Sequence, residues 1–273
     1  MKFCCILPVL NGTKKVEQTI NSLLHQKSVL DGSDTLRIIV RDGGSSDGIS
    51  SLIERFNDPR IEFHSESDTG MYDALAKGLE LADGDVCCYL PAGEVYEHAA
   101  FSTLSEVFSS MDDVHWVTGR PVGRNAKQQT IVTYLPHPYK RRFISCGMYG
   151  TRLTAIQQES TFWRIDLNQL INLDALRNCR LAGDYLLWKS FAEVHDLFVV
   201  DSLLASFTFE DGQLSKIEPG AYRREIRALR ERPGVMERLH ALLLRQYTKR
   251  APPSRRSRNS IRFDLKSKSW KRY

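Results

Sequence analysis

The stretch IEFHSESDTGMYDALAKG, residues 61–78, decides the fold of this chain. Its first four residues form a short run typical of a strand, and an acidic loop with one glycine follows at residues 66–70. Beyond that loop, side chains recur at the spacing of one helical face, at Tyr72, Leu75, Leu79 and Ala82. The stretch therefore predicts a strand, a polar loop and a helix in direct succession.

The same succession recurs on both sides of this stretch. Further apolar runs typical of buried strands are Phe3–Leu7, Leu36–Val40 and Val86–Leu90. Helical spacing is found in residues 14–26 and again at Ile49, Leu52, Ile53 and Phe56. Strands that alternate with helices form βαβ units. The sequence thus predicts an α/β fold, Rossmann-like, with a mostly parallel central sheet flanked by helices.

Polar residues follow each of the predicted strands directly. The loops that they form are Pro8–Asn11, Asp42–Gly44, Glu66–Asp68 and Pro91–Glu94. Right-handed crossovers bring the carboxyl ends of parallel strands to one edge of the sheet, where ligands bind in such folds. We therefore expect these four loops to surround a ligand site.

Composition narrows the class of protein. The 273 residues are 42% hydrophobic and 26% charged, which is typical of a globular protein and excludes a collagen, a disordered tail and a disulfide miniprotein. No apolar run reaches the roughly 18 residues that a membrane-spanning helix needs. The six cysteines show no CxxC spacing, so we expect buried thiols rather than a zinc site. A reducing cytosol suits such thiols, and we predict a cytoplasmic protein.

Charge divides the chain into an acidic part and a basic part. From Ala221 onward there are 17 Lys or Arg and 4 Asp or Glu, a net +13; because the whole chain carries +5, residues 1–220 carry −8. We predict two units, residues 1–215 and a basic, helical C-terminal extension over residues 216–273. The extension could bind an anionic membrane surface, contact another copy of the chain or be a solvated tail. Nucleic acid is not an expected partner.

Four charged residues each have a chemical and a purely structural interpretation. Asp42 precedes two glycines. Its carboxylate could accept a hydrogen bond from a nucleotide base or ribose, or it could cap the next helix. Lys77 suits a phosphate, or an ion pair with the acid four positions earlier. Glu94 suits a divalent cation, or is an ordinary surface residue. Asp184 stands at a predicted helix start, where aspartate commonly acts as a cap.

Ordered motifs along the chain carry a resemblance to a known family. The motifs are Pro8–Asn11, Arg41–Gly48, Glu66–Ala74 with Lys77–Gly78, Gln158–Arg164, Leu181–Tyr185 and Gly212–Ser215. In this order they resemble the family 2 glycosyltransferases, which have the GT-A fold, over residues 1–215. Within that family the chain is similar to bacterial enzymes that build cell-surface polysaccharide, including lipopolysaccharide.

The resemblance implies an inverting transfer of a sugar from a nucleotide sugar, with UDP the commonest nucleotide, to a glycan or polyprenyl-linked acceptor. It implies that Asp184 is the catalytic base and that Glu94 binds Mg²⁺ or Mn²⁺. Nucleotide contacts are implied for Pro8, Val9, Leu10, Asn11, Asp42, Gly43, Asp68 and Lys77, with Asp42 on the base. Contacts with the donor or acceptor sugar are implied for Glu159, Trp163 and Arg164, although a lone tryptophan is usually core.

The predicted metal loop departs from the family pattern. Where the family usually reads Asn-Ser-Asp-Asp, this chain reads Pro91-Ala92-Gly93-Glu94, so the first acid of the motif is missing. This departure keeps one function of another class in consideration, and the likeness of folds keeps a second. One is a catalytically silent protein that binds sugar nucleotides. The other is a nucleotidyltransferase, whose glycine-rich triphosphate loop the Pro8–Thr13 stretch matches poorly.

Overall fold

The computed structural model describes residues 1–209, 218, 220–250 and 259–273. The helices are α1 Thr13–Leu24, α2 Lys27–Leu30, α3 Ile49–Phe56, α4 Met71–Leu81, α5 Ala100–Ser110, α6 Arg141–Ser145, α7 Leu173–Arg177, α8 Gly183–Ala192, α9 Ala221–Leu229 and α10 Val235–Arg250. The strands are β1 Lys2–Val9, β2 Thr35–Asp42, β3 Ile61–Ser65, β4 Val86–Tyr89, β5 Val95–Tyr96, β6 Trp116–Arg120, β7 Val122–Arg124, β8 Thr130–Thr133, β9 Thr161–Arg164, β10 Leu197–Leu203, β11 Ala205–Thr208, β12 Ser260–Asp264 and β13 Ser269–Arg272. The predicted motif Gly212–Ser215 and the predicted boundary at residue 215 lie outside the described residues.

Nine strands of the described chain form one central sheet, in the order β13-β12-β10-β6-β9-β4-β1-β2-β3. Strands β1 to β4 pair in parallel, and α1, α3 and α4 connect them. Strand β10 is parallel to β6 and β12, whereas β9 is antiparallel to both of its neighbours, β4 and β6. The prediction of an α/β fold with a mostly parallel sheet flanked by helices is confirmed.

Each face of the central sheet is covered by its own apolar cluster. Because successive residues of a strand point to opposite faces, Phe3, Cys5 and Leu7 of β1 belong to the first cluster and Ile6 to the second. The first cluster includes residues of α1, α3 and α5, and the second includes residues of α4, α6 and α8. Burial on both faces explains why β1 is a nearly continuous apolar run.

A smaller sheet lies beside the carboxyl edge of the central one. In the described residues its strands have the order β5-β11-β7-β8. Strand β5 follows Glu94 directly, and β11 pairs with β5 in antiparallel orientation and with β7 in parallel. This sheet therefore brings β11 next to the loop that follows β4.

Strands β12 and β13 form a hairpin at the end of the central sheet. Strand β12 pairs in parallel with β10, and β13 pairs with β12 in antiparallel orientation. Ile261 is fully buried, and Trp270 packs against the first apolar cluster. The prediction of a helical extension over residues 216–273 is wrong here, although α9 and α10 fall within that range. The alternation of apolar and charged residues in β12 is a strand signal that the surrounding basic residues obscured.

The cysteines are buried and free, as the prediction of buried thiols required. Within the described residues, no helix combines the length and the apolar character that crossing a bilayer requires.

Candidate active site

A cavity of about 640 Å³ opens at the carboxyl edge of the parallel strands. Among the described residues its lining consists of Lys15, Thr69, Gly70, Met71, Tyr72, Pro91, Ala92, Gly93, Glu94, Gln158, Arg180, Leu181, Asp184, Phe207, Thr208 and Tyr222. These residues come from the loops after β4 and before β9, from β11, and from the starts of α1, α4, α8 and α9 with the residues that precede them. Of the four predicted ligand loops, Pro91–Glu94 lines the cavity directly, and Glu66–Asp68 immediately precedes lining residues.

Asp184 lies in the first turn of α8 and is 7% exposed. It does not cap the helix, because the N-cap residue is Ala182. The Tyr222 hydroxyl donates a hydrogen bond to Oδ2 at 2.8 Å, and the Tyr72 hydroxyl lies 3.5 Å from Oδ1. Burial raises the pKa of Asp184 to about 6, while the hydrogen bond from Tyr222 acts to lower it. A carboxylate with this pKa is ionised at neutral pH and is a stronger base than an exposed aspartate.

Helix α9 holds the start of α8 in place. Glu225 of α9 accepts hydrogen bonds from the backbone N–H groups of Arg180, Leu181 and Ala182, at 2.7, 2.8 and 3.2 Å. Backbone N–H groups at a helix start have no acceptor within the helix, so a carboxylate there is stabilising. Helix α9 therefore supplies both the phenol that binds Asp184 and the carboxylate that fixes the preceding loop.

Tyr72 of α4 also contacts the start of α8. Its hydroxyl donates to the carbonyl oxygen of Leu181 at 3.1 Å, and its ring lies directly against Gly183. A Cβ atom at position 183 would lie 2.3 Å from the ring, closer than van der Waals contact permits. Glycine at this position lets α4 and α8 approach closely enough for Tyr72 to reach Asp184.

Glu94 is the second carboxyl group in the cavity and is 7% exposed. Gln158 Nε2 lies 3.5 Å from Oε1, whereas Oε2 is buried without a hydrogen-bond partner among the described residues. Burial raises the pKa of Glu94 well above its usual value, and the charge of Glu159 raises it further. The site therefore favours the neutral form of Glu94 unless positive charge is brought next to it.

Glu159 lies behind the cavity rather than in its lining, and it is 2% exposed. Burial raises the pKa of Glu159 to about 7, and the charge of Asp184 adds to that effect. Its Oε1 atom has no hydrogen-bond partner among the described residues. Glu159 therefore interacts electrostatically with the two cavity carboxyl groups, and the structure does not place it where a sugar in the cavity would touch it.

The donor set of the cavity suits a shared divalent cation. The described residues contain no group of three or more His, Cys, Asp or Glu side chains that could hold a metal ion by themselves. Glu94 nevertheless has an unpartnered buried oxygen, and Mg²⁺ commonly binds one or two carboxylates together with phosphate oxygens and water. A cation held jointly by Glu94 and a diphosphate fits. Lys15 brings further positive charge to the lining, and so does Arg180, whose guanidinium pairs with Glu218 at 2.6 Å.

Asp42 ends β2 beside the cavity but is not part of its lining. Its carboxylate accepts hydrogen bonds from the Ser65 hydroxyl, at 2.6 Å, and from the backbone N–H and hydroxyl of Ser45. The Asn11 N–H donates to Ser45 Oγ at 2.7 Å. In the same loop Pro8 and Val9 end β1, while Leu10 is 60% exposed. These predicted nucleotide-binding residues therefore contact one another and are not part of the cavity lining.

Asp68 and Lys77 tie the loop after β3 to its neighbours. The Asp68 carboxylate lies against Gly43, where a Cβ atom would be 2.6 Å from Oδ2, and burial raises the pKa of Asp68. Lys77 Nζ donates to the carbonyl oxygen of Ser67 at 3.1 Å and lies 3.6 Å from the Asp73 carboxylate. Lys77 is not part of the cavity lining, so its contacts match the ion-pair interpretation.

The structure contradicts the sugar contacts predicted for Trp163 and Arg164. Trp163 is fully buried in the second apolar cluster, and its Nε1 donates to Asn168 Oδ1 at 2.7 Å. Arg164 donates to the carbonyl oxygens of Val114 and Phe108, at 2.9 and 2.6 Å. Both residues belong to β9, which lies between β4 and β6 in the interior of the sheet. The Trp163 side chain therefore packs in the core, and the Arg164 side chain is bound to backbone carbonyl groups of α5 and of the loop after it.

Several cavity residues were not predicted from the sequence. Among them are Lys15, Tyr72, Gln158, Arg180 and Tyr222. Tyr72 and Gln158 stand inside recognised motifs, but a tyrosine on an apolar helical face indicates core. No sequence signal distinguishes Tyr222 from the other tyrosines, because its role depends on where α9 packs.

The fold is that of the GT-A glycosyltransferases. S. aureus TarS 1–349 in complex with UDP superposes with a TM-score of 0.61 and 14% identity, covering 91% of this chain and 72% of that chain. The mannosyltransferase PcManGT from Pyrobaculum calidifontis, in complex with GDP-Man and Mn²⁺, gives a TM-score of 0.59 and 15% identity, covering 91% and 70%. In other matches the chain spans 60% of TarS 1–349 and 37% of TarS.

Residues 4–175 match glycosyl transferase family 2. The matched range is more than half of the chain, so the protein belongs to this family. No curated protein sequence matches the chain significantly. The matched range ends before α8 and α9, so the roles of Asp184 and Tyr222 must be argued from the geometry of the cavity.

Proposed function

We propose that the protein is an inverting glycosyltransferase that moves a sugar from a nucleotide sugar to a glycan or polyprenyl-linked acceptor in surface polysaccharide synthesis. The observation that carries the proposal is the Asp184 carboxylate, which lines the cavity, is buried, and has a pKa raised to about 6. UDP is the expected nucleotide. The TarS complexes with UDP and UDP-GlcNAc support a uridine nucleotide, whereas the PcManGT complex with GDP-Man keeps guanosine as an alternative.

Inversion requires one in-line displacement at the anomeric carbon. The acceptor oxygen forms the new bond to that carbon while the bond to the diphosphate oxygen breaks, and the acceptor proton passes to Asp184. The departing diphosphate needs positive charge nearby. Lys15 and Arg180 line the cavity, and a Mg²⁺ or Mn²⁺ ion shared with Glu94 would neutralise the same group. The Asp42, Asp68 and Pro8–Asn11 cluster is proposed to bind the nucleoside.

A thermal-shift panel of UDP, GDP, dTDP and CDP, with and without Mn²⁺, tests this function. One nucleotide at about 100 times its dissociation constant should stabilise the protein by about 2.7 kcal/mol. We expect the largest shift for UDP with Mn²⁺, and a smaller dependence on Mn²⁺ in Glu94→Gln. The Asp42→Ala variant should bind the same nucleotide more weakly.

Absence of a shift with all four nucleotides would contradict the proposal. A large shift without any transfer to glycan acceptors would favour the catalytically silent protein instead. Release of pyrophosphate from a nucleoside triphosphate would favour the nucleotidyltransferase.

The Tyr222→Phe variant should shift the pH dependence of transfer. In the wild type, kcat/KM should fall as pH decreases through about 6, because Asp184 becomes protonated and can no longer accept a proton. Loss of the phenol removes a hydrogen bond that stabilises the carboxylate, so the pKa of Asp184 rises. The acid limb of the pH profile, where kcat/KM falls with decreasing pH, therefore moves to higher pH. The move should be about one pH unit, since a hydrogen bond to a charged group contributes about 1.5 kcal/mol.

Tyr185→Phe is the matched control for this measurement. Its hydroxyl donates to the Ser145 carbonyl oxygen at 2.8 Å, whereas the hydroxyl groups beside the Asp184 carboxylate are those of Tyr222 and Tyr72. Tyr185→Phe should leave the acid limb where the wild type has it. Identical acid limbs in wild type and Tyr222→Phe would show that Tyr222 does not act on Asp184.

The proposed location is the cytoplasm, with peripheral attachment to the inner face of the membrane through the basic C-terminal region. The net +13 of the residues from Ala221 onward supports this location. A basic segment gains about 1 kcal/mol for each Lys or Arg near an anionic bilayer.

A further inference from the structure

Helix α10 exposes an apolar stripe to solvent. Its members, which are 47–79% exposed, are Val235, Met236, Leu239, Leu242, Leu243 and Tyr247. Their spacings of one, three and four residues place them along one side of the helix. Another face carries Ala241 and Leu244, which pack on the second apolar cluster. A continuous exposed apolar face of this kind marks an interaction surface.

An arginine pocket of about 350 Å³ lies beside the stripe. Three arginines line it, Arg152 in the loop after α6, Arg223 in α9 and Arg245 in α10. Three threonines, Thr151, Thr154 and Thr248, complete its polar lining, and no acidic side chain of the described residues contributes. Guanidinium groups together with hydroxyl groups are the donors that bind phosphate oxygens in proteins. The pocket is therefore suited to a phosphate group.

The surface around the stripe is basic, and its acids are already engaged. Residues 221–250 contain nine Lys or Arg and three Glu. Glu231 and Glu237 both pair with Arg142, and Glu225 accepts the N–H groups before α8. A second copy of the chain on this face would bring arginines against arginines. An anionic surface is complementary both to these charges and to the apolar stripe.

We propose that α10 docks the protein on an anionic lipid bilayer, with the apolar stripe between the headgroups and the arginine pocket around a lipid phosphate. Helices with one apolar and one basic side lie in the membrane interface, with the apolar side buried about 5–10 Å into the boundary between headgroups and acyl chains. The inference deepens the membrane location proposed above by assigning it to a described surface.

Helix α9 connects this surface to the cavity. Tyr222 lines the cavity and the next residue, Arg223, lines the arginine pocket. Docking through α10 would therefore hold the cavity near the membrane surface, where a polyprenyl-linked acceptor presents its saccharide. This consequence rests on the proposed function, whereas the docking itself does not.

Vesicle flotation of the full chain tests the docking without any sugar nucleotide. We expect binding to vesicles of phosphatidylcholine mixed with phosphatidylglycerol, weak binding to phosphatidylcholine alone, and reversal by salt. The double variant Leu239→Glu with Leu243→Glu should lose binding. The triple variant Arg152→Gln, Arg223→Gln and Arg245→Gln should bind about 100-fold more weakly, at about 1 kcal/mol for each arginine and 1.4 kcal/mol for each factor of ten.

Two control variants make equivalent changes elsewhere on the surface. Ile131→Glu with Val132→Glu alters two side chains of β8 that are 55% and 43% exposed. Lys27→Gln, Arg55→Gln and Lys127→Gln remove three exposed positive charges from the part of the chain before Ala221. Both controls should float like the wild type.

Equal flotation of the wild type, the stripe variant and the arginine variant would overturn the proposal. So would an absence of flotation combined with a dimer that Leu239→Glu and Leu243→Glu convert to a monomer in analytical ultracentrifugation. That result would make the stripe a contact between copies. Because the flotation assay contains no sugar nucleotide, a failure to bind vesicles is distinct from a failure of glycosyl transfer.

Discussion

The Asp184→Asn variant should lose about 1,000-fold in kcat, because a positioned general base typically contributes between 10²- and 10⁴-fold. Asparagine has the shape of aspartate but cannot accept the acceptor proton at neutral pH. Its side chain can still receive the Tyr222 hydroxyl, which lies 2.8 Å from Oδ2 in the wild type. Donor affinity in the nucleotide thermal-shift assay should therefore remain close to that of the wild type.

The stability of Asp184→Asn provides an internal control with a defined sign. Burial raises the folded-state pKa of Asp184 from an ordinary 3.8 to about 6. The ionised carboxylate therefore costs stability, and that cost grows as pH increases from the unfolded pKa to the folded one. Asparagine has no such cost, so its Tm at neutral pH should equal or exceed that of the wild type. Full transfer activity in a folded Asp184→Asn protein would remove Asp184 from the role of base.

The Gly183→Ala variant should have the second largest effect. The new Cβ would lie 2.3 Å from the ring of Tyr72, a side chain that is 1% exposed and has no free space to move into. Overpacking of this kind typically costs about 1–3 kcal/mol of folding free energy. The strain should also displace Asp184, and a displacement of about 1 Å costs on the order of 100-fold in rate. We therefore expect a lower Tm together with a lower kcat.

Ser190→Ala in the same helix is the control for Gly183→Ala. The Ser190 hydroxyl donates to the carbonyl oxygen of Leu186 within α8, away from Tyr72. Its removal should change neither Tm nor kcat appreciably. Wild-type values of both quantities in Gly183→Ala would show that α4 and α8 are not packed as closely as the structure indicates.

The periodicity of the sequence was enough to predict the parallel half of the fold. The buried runs of β1, β2 and β4 and the apolar faces of α1, α3 and α4 are local patterns, with periods that a short window reveals. The β12–β13 hairpin was missed because only a few apolar residues in it, such as Ile261, face the core. Its stability depends on pairing with β10, which is about 60 residues away in the sequence.

The candidate site was predictable only in part. Glu94 and Asp184 line one cavity, and their motifs had suggested the metal and base roles that we now propose. Trp163 and Arg164 stand in an equally recognisable motif, yet the Trp163 side chain packs in the core and the Arg164 side chain binds backbone carbonyl groups. A motif fixes which residues are neighbours in the chain, but the packing of β9 decides which of them face the ligand.

The sequence alone determined the order of strands and helices in the parallel half, the loops at the carboxyl edge and the family, because these depend on residues that are close together in the chain. Only the tertiary structure decided what surrounds Asp184. Tyr72 is 112 positions away from it, and Tyr222 is 38 positions away. The pKa of Asp184 likewise depends on burial by several elements at once, and no local pattern specifies that environment.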